Sequence, residues 1–268
     1  MFSIATVERS FAGGREYNED CTAIERTDDG RCCLVLSDGA GGHAGGAVAS
    51  RIAVNKVLEG FRARPPVDAD DLAELVLDAH DAVLAAQRAA EGAAQAMHAT
   101  IVVLTIDVNA GTALWSHVGD SRLYVLRRGA VVAVTRDDSV VQWMVDSGYL
   151  PADQARSHPK KNRLLAALGA DTDLQPTVQI EPFPIEDGDA FLLCTDGWWD
   201  CFASGQIESE LALAPSVEAW VDAMAAAIAQ KADANHDNYS AIGCWIVQPR
   251  KAPPAGDVYK TGFNWESS

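Results

Sequence analysis

Cys32-Cys33-Leu34-Val35-Leu36-Ser37-Asp38-Gly39 is an apolar run that ends on a carboxylate and a glycine, and Ala190-Phe191-Leu192-Leu193-Cys194-Thr195-Asp196-Gly197 repeats the arrangement far along the chain. Runs of this length, closed by a turn signal, read as buried strands. Each therefore delivers an Asp to a strand tip, where a glycine lets the backbone turn sharply or bring a carbonyl oxygen up to a cation. A single Asp-Gly ends many ordinary turns. Two of them closing like strands suggest one shared, oxygen-lined site, with a divalent metal as the first hypothesis.

Two more acidic segments lie beside strand-like stretches. Arg15-Glu16-Tyr17-Asn18-Glu19-Asp20 precedes residues 21–24, and His236-Asp237-Asn238-Tyr239-Ser240 precedes residues 241–247. Asp20, Asp38, Asp196 and Asp237 thus come from four separate segments. Hard ions such as Mg2+ and Mn2+ take carboxylate, carbonyl and water oxygens, and four carboxylates suffice for two ions.

Outward from these marks, the pattern predicts strands at 2–7, 21–24 and 31–37 as an opening meander, then helices at 47–58 and 69–90, the second capped by Asp68. Strands follow at 100–107, 112–118, 122–126 and 130–134, joined by tight turns at 109–111, 119–120 and 128–129 and read as antiparallel neighbours. A strand near 175–180, the run into Asp196, a helix at 217–229 and a last strand at 239–247 complete the series. Strand groups alternating with helix groups predict an α+β fold, two antiparallel sheets packed face to face with helices outside.

The net charge of −17 argues against binding to nucleic acid or to an anionic membrane, both of which demand clustered Lys and Arg. Six cysteines without Cys-x-x-Cys spacing, mostly inside apolar runs, read as reduced core thiols and point to the cytoplasm. No apolar run reaches membrane-spanning length. Residues 249–268, with Pro253-Pro254 and few apolar anchors before Phe263 and Trp265, read as a loose extension.

Taken in order, Arg-x-x-Asn-Glu-Asp (15–20), Ser-Asp-Gly-x-Gly-Gly-His (37–43), Val-Gly-Asp-Ser-Arg (118–122), Cys-Thr-Asp-Gly (194–197) and Asp-Asn (237–238) resemble a metal-dependent protein phosphatase of type 2C, the PPM family, of the bacterial kind. The resemblance implies a four-layer fold, with a phosphatase domain over 1–248, a flap over about 136–170 and an extension over 249–268. It implies hydrolysis of phosphoserine and phosphothreonine in proteins by a hydroxide bridging two metal ions, with two or three Mn2+ or Mg2+ ions in all. Asp20, Asp38, Asp196 and Asp237 become metal ligands with catalytic roles. Gly39 lends its carbonyl to a metal, and Asp120 holds a third. Arg15 grips the substrate phosphate with its planar fork, and Glu19 orients metal-bound water. The implied partners are phosphorylated proteins, a Ser/Thr kinase or its targets, met by a monomeric enzyme in the cytoplasm.

This sequence also departs from the family pattern. Ala40 stands where animal relatives carry a histidine that protonates the leaving group, and Asp138 replaces the histidine of the bacterial Asp-His-Ser segment. His43 is near enough to supply a proton, although a place at the start of a helix explains it equally well. The departures keep open a catalytically impaired phosphoprotein-binding regulator, and a phosphatase of small molecules stays open because the same ions could serve it. Ser121 lacks the surroundings of a serine-hydrolase elbow. His80, His98, His117 and His236 receive no chemistry.

Overall fold

A computed structural model describes residues 2–41, 45–90, 96–170 and 173–248. His43 and the extension at 249–268 lie outside the described residues. The first sheet orders its strands β1 (Ser3–Phe11), β13 (Tyr239–Val247), β12 (Ala190–Cys194), β8 (Arg122–Arg127) and β9 (Ala130–Val134). The second runs β10 (Thr177–Val178), β7 (Thr112–Val118), β6 (Ile101–Asp107), β3 (Arg31–Ser37) and β2 (Cys21–Arg26), with the short β11 (Phe183–Pro184) also on β7. Every pairing is antiparallel.

Strand alternation explains the layers. In β3, Cys32, Leu34 and Leu36 face Leu123, Val125, Phe191, Leu193 and Ile242 of the opposite sheet, while Cys33 and Val35 face away. The outward set packs under α1 (Gly45–Ala63) and α2 (Ala69–Ala89) through Ala53, Val57, Leu72 and Val76. On the far side, Leu126 and Leu192 meet Trp198, Trp220 and Met224, carried by α4 (Asp196–Trp199) and α6 (Val217–Lys231). The predicted sandwich flanked by helices on both sides is therefore present, and both sheet faces are buried, which accounts for the nearly continuous apolar runs.

The structure corrects two predicted neighbourhoods. β1 does not join a meander with β2; it lies along β13, Ser3 opposite Val247. β7 and β8 are not a hairpin either, since the chain leaves one sheet and enters the other at Gly119-Asp120-Ser121. Gly119 has φ of 98°, and a Cβ there would meet Thr100 Cγ2 at 2.7 Å, so the crossing admits only glycine. In α1, Val48 is 47% exposed, whereas Ala49 and Ala53 are buried. No described helix is long and apolar enough to cross a membrane.

Between β9 and β10 the chain forms α3 (Val140–Asp146) and a 3-10 turn (Ala152–Ser157) before reaching Asn162 and Leu164. Ser139 caps α3, accepting from the Gln142 N–H at 3.1 Å. A short helix, α5 (Gln206–Leu213), and a two-residue ladder of β4 (Gly39–Ala40) with β5 (His98–Ala99) fall where no element was predicted.

Candidate functional site

Antiparallel order brings the acidic residues together. The start of β13, the end of β12 and the start of β8 lie at one end of the first sheet, because Cys194 opposes both Ala241 and Arg122. In the second sheet Cys21 opposes Ser37, so the start of β2 and the end of β3 share an end too. Asp237, Asp196, Asp120, Asp20 and Asp38 flank those strand ends. A cavity of about 410 Å3 there is lined by Arg15, Glu19, Asp38, Gly39, Asp120, Asp196 and Asp237, and by Asn162 and Leu164 from the segment after α3.

Asp20 is the exception among the sequence-predicted residues, lying behind the cavity wall rather than on it. Its Oδ2 accepts from Thr195 Oγ1 at 3.1 Å, and Thr195 Oγ1 in turn accepts from the Ser240 N–H at 3.0 Å. Asp38 accepts nothing from a cation; its own N–H donates to Thr100 Oγ1 at 3.0 Å. Arg15 donates from Nη2 to Asp237 Oδ2 at 2.9 Å, both side chains being roughly half-exposed. Asp20, Asp38, Asp120 and Asp196 have no ion-pair partner among the described residues.

This crowding is electrostatically costly. Burial first, then the charges of Asp20, Asp196, Asp120 and Asp237, drive Asp38 well above the ordinary carboxylate range. Burial and then Asp196 and Asp137 do the same to Asp120. Burial, reinforced by Asp196 and Asp237, raises Asp20 to about 7 against hydrogen bonds from Ser240 and Thr195, and burial with Asp237 raises Asp196 to about 6. Like charges in a desolvated cleft resist joint ionisation unless positive charge is supplied.

The orphaned atoms define the donor set. Glu19 Oε1, Asp20 Oδ1 and Asp196 Oδ1 are buried without a hydrogen-bond partner, an arrangement that native proteins rarely leave uncompensated. All three are carboxylate oxygens, the ligand type of hard divalent ions. No three His, Cys, Asp or Glu side chains among the described residues close round one point as a ready-made cage. Mg2+ needs no such cage, since it keeps several waters and takes one or two carboxylates.

The glycines serve packing rather than turning. Neither Gly39 nor Gly197 has positive φ. A Cβ on Gly39 would meet the Gly46 carbonyl oxygen at 2.1 Å, and one on Gly197 would meet that of Asn238 at 2.1 Å. Both Asp-Gly pairs thus allow another backbone to press against the site. Gly197 is already inside α4, whose first residue is Asp196.

Sequence reasoning left several contributors without a role. Asn238 is buried and ties the Arg15 loop to β13: its Oδ1 accepts from the Glu19 N–H at 2.8 Å, and its Nδ2 donates to the carbonyls of Ala12 and Tyr17 at 2.8 and 2.9 Å. Thr195 holds the Asp20 carboxylate and Thr100 the backbone N–H of Asp38, as described. Each adjoins a quoted motif or a predicted strand tip, which was the available signal. Asn18 behaves as a turn former, its Oδ1 accepting from the Asp20 N–H at 3.1 Å. Of the histidines, His117 donates Nε2–H to the Arg136 carbonyl at 2.8 Å and His80 accepts from the Gly169 N–H at 3.2 Å, both structural contacts.

The family description "Protein phosphatase 2C" matches residues 10–236. The serine/threonine protein phosphatase PstP of Mycobacterium tuberculosis is 33% identical over 187 residues, covering 69% of this chain and 34% of its own length. The chain thus spans about a third of that relative. Protein phosphatase PhpP of Streptococcus pneumoniae is 29% identical over 226 residues, 77% of this chain and 85% of its own. A crystal structure of the catalytic domain of PstP in complex with two manganese ions superposes with a TM-score of 0.78 at 26% identity, covering 92% of this chain and all of that one.

Proposed function

The chain belongs to the protein phosphatase 2C family, and from that premise we propose that it is a metal-dependent hydrolase of phosphoserine and phosphothreonine in proteins, opposing a Ser/Thr kinase. One observation carries the reading: carboxylates from distant segments meet at a single cavity, and three buried carboxylate oxygens, two from residues of its lining and one from Asp20 behind its wall, lack any partner. Asp20, Asp38, Asp196 and Asp237, with the Gly39 carbonyl, would hold two divalent ions, Mn2+ or Mg2+, and Asp120 a third. Divalent ions held there would supply the positive charge that activates water as a nucleophile toward phosphorus.

The remaining work falls to the chain. Arg15 stands at the rim with an exposed guanidinium, beside Asp237 and facing the same cavity, where its fork matches two phosphate oxygens. Glu19, its backbone pinned by Asn238 and by Ser50, whose Oγ donates to the Glu19 carbonyl at 2.6 Å, aims a buried oxygen at the site and orients water there. Thr195 fixes the Asp20 carboxylate, and Thr100 fixes the backbone of Asp38. Catalysis is then mainly positioning and charge neutralisation. All six cysteines are free, in keeping with a reducing, cytoplasmic setting.

The test is phosphate release from a phosphothreonine peptide with Mn2+, with and without a chelator, for the natural sequence and for Asp38→Asn and Asp196→Asn. Chelation and either substitution are expected to abolish release. Activity indifferent to chelation would remove the metal from the mechanism. Hydrolysis of small aryl phosphates, with none of phosphopeptides, would remove the protein substrate.

A further inference from the structure

Asp120 stands where the chain crosses between the two sheets, outside any strand ladder. Side chains from two other segments hold its turn instead. The Gly119 N–H donates to Asp138 Oδ2 at 3.0 Å, and the Asp138 N–H returns a bond to the Gly119 carbonyl at 2.9 Å. From the opposite side Trp199 donates its indole Nε1–H to the Asp120 carbonyl at 2.9 Å.

The two tryptophans of α4 divide the labour. Trp198 is wholly buried with its indole nitrogen unpartnered, so it supplies packing alone. Trp199 is 9% exposed, and its ring carries the Arg122 guanidinium at 3.5 Å, itself gripped by Asp137 through bonds of 2.7 and 2.8 Å. The stack immobilises the indole. Because α4 begins at Asp196 and ends at Trp199, an N–H from its last residue to Asp120 sets the spacing between two carboxylates of the site.

We propose that Trp199 and Asp138 are positioning residues for Asp120, joining it to the Asp196 helix and to the segment that carries Asn162 over the cavity. The proposal rests on the reading of the site as a metal centre. On it, Asp138 is no impairment: its carboxylate accepts the Gly119 N–H and locks the crossing. Residues that orient a ligand in this way typically change metal affinity by about 10- to 100-fold.

The experiment titrates Mn2+ by the paramagnetic resonance of the free ion, with thermal melts to establish folding. Trp199→Phe keeps the ring for Arg122 and deletes only the donor; Asp138→Ala deletes the acceptor, and Asp138→Asn retains an oxygen for Gly119. The binding that Asp120→Asn removes is expected to weaken about 10-fold in Trp199→Phe and Asp138→Ala and less in Asp138→Asn. Trp199→Phe should add nothing in the Asp120→Asn background, because it acts through that residue. Unchanged Mn2+ binding in folded Trp199→Phe, or an equal loss in both backgrounds, overturns the proposal. If Trp199→Phe fails to fold, Asp138→Ala decides by the same comparison. A natural sequence that binds no Mn2+ would instead sink the metal reading. Amide exchange at Gly119 to Ser121 in the metal-free variants then judges the positioning claim: faster exchange supports it, and unchanged exchange ends it.

Discussion

Two buried acidic places in this protein are built on opposite terms. Asp189 is completely buried, yet both its oxygens are answered: Arg127 donates to Oδ1 and Oδ2 at 2.8 and 2.7 Å, and the Glu186 N–H adds a bond at 2.7 Å. Asp38, Asp120 and Asp196 line one cavity, with Asp20 behind its wall, and none of the four has an ion-pair partner among the described residues. The first arrangement is complete in itself and serves the fold. The second is complete only when positive charge arrives from outside, which makes it a place for chemistry. A buried carboxylate is thus diagnostic by what answers it, not by its burial.

The sharpest way to break this contrast is to neutralise one member of each place. Asp38→Asn is expected to lower phosphopeptide hydrolysis by about 10²-fold or more while leaving the metal-free fold as stable as before, or more so, since a repulsive charge is gone. Steady-state kinetics beside urea melts would show it, and a large loss of stability would assign Asp38 to the scaffold. Asp189→Ala should do the reverse, costing about 1–3 kcal/mol in the same melts because the Arg127 fork and the Glu186 N–H lose the acceptor they share. Intact stability there would erase the distinction.

Acidity gives a subtler test. Asp20 and Asp196 have folded values raised by burial and neighbouring charge to about 7 and about 6, against an ordinary 3.8. A raised carboxyl favours the folded state while protonated, fully so below its unfolded value, and the contribution fades as pH climbs through the folded one. Chelated protein should therefore lose thermal stability between about pH 4 and pH 7, by roughly 5 °C, relative to Asp20→Asn. Added Mn2+ should restore it by binding the ionised form. A chelated protein whose melting follows that of Asp20→Asn across this range would show that the cluster is not strained. The smallest expected effect is that of Arg15→Lys, about 10-fold in kcat/KM through weaker phosphate grip, with Mn2+ binding unmoved.

Much of this site was legible from sequence because strand tips are. The apolar runs ending at Ser37 and Cys194 and the strands Thr112–Val118, Ala130–Val134 and Tyr239–Val247 stand at or within a residue of their predicted bounds. Asp68 caps its helix as expected, accepting from the Asp71 N–H at 2.9 Å. Partnership was not legible. Alternation tells which face a residue takes but not which sheet its strand joins, so the crossing at Gly119 read as a hairpin, and β1, whose partner is last in the chain, read as a neighbour of β2. Short elements escaped because their reasons are tertiary: β4 and β5 exist only through each other, and α5 buries Ile207 alone. Asn162 had no role assigned to it because only the path of the chain after α3 brings it over the cavity.

The pairing of β1 with β13 has a consequence for how the protein is made. Ser3 donates its hydroxyl to the Val247 carbonyl across 244 positions, so β1 waits through the synthesis of all the strands between before its neighbour appears. Until Tyr239–Val247 emerges from the ribosome, β1 and β12 each present an unsatisfied ladder edge that other nascent chains can bind. Asp237 arrives with that same strand. Before that strand emerges the chain holds neither a closed sheet nor a complete acidic cluster, and one event finishes both.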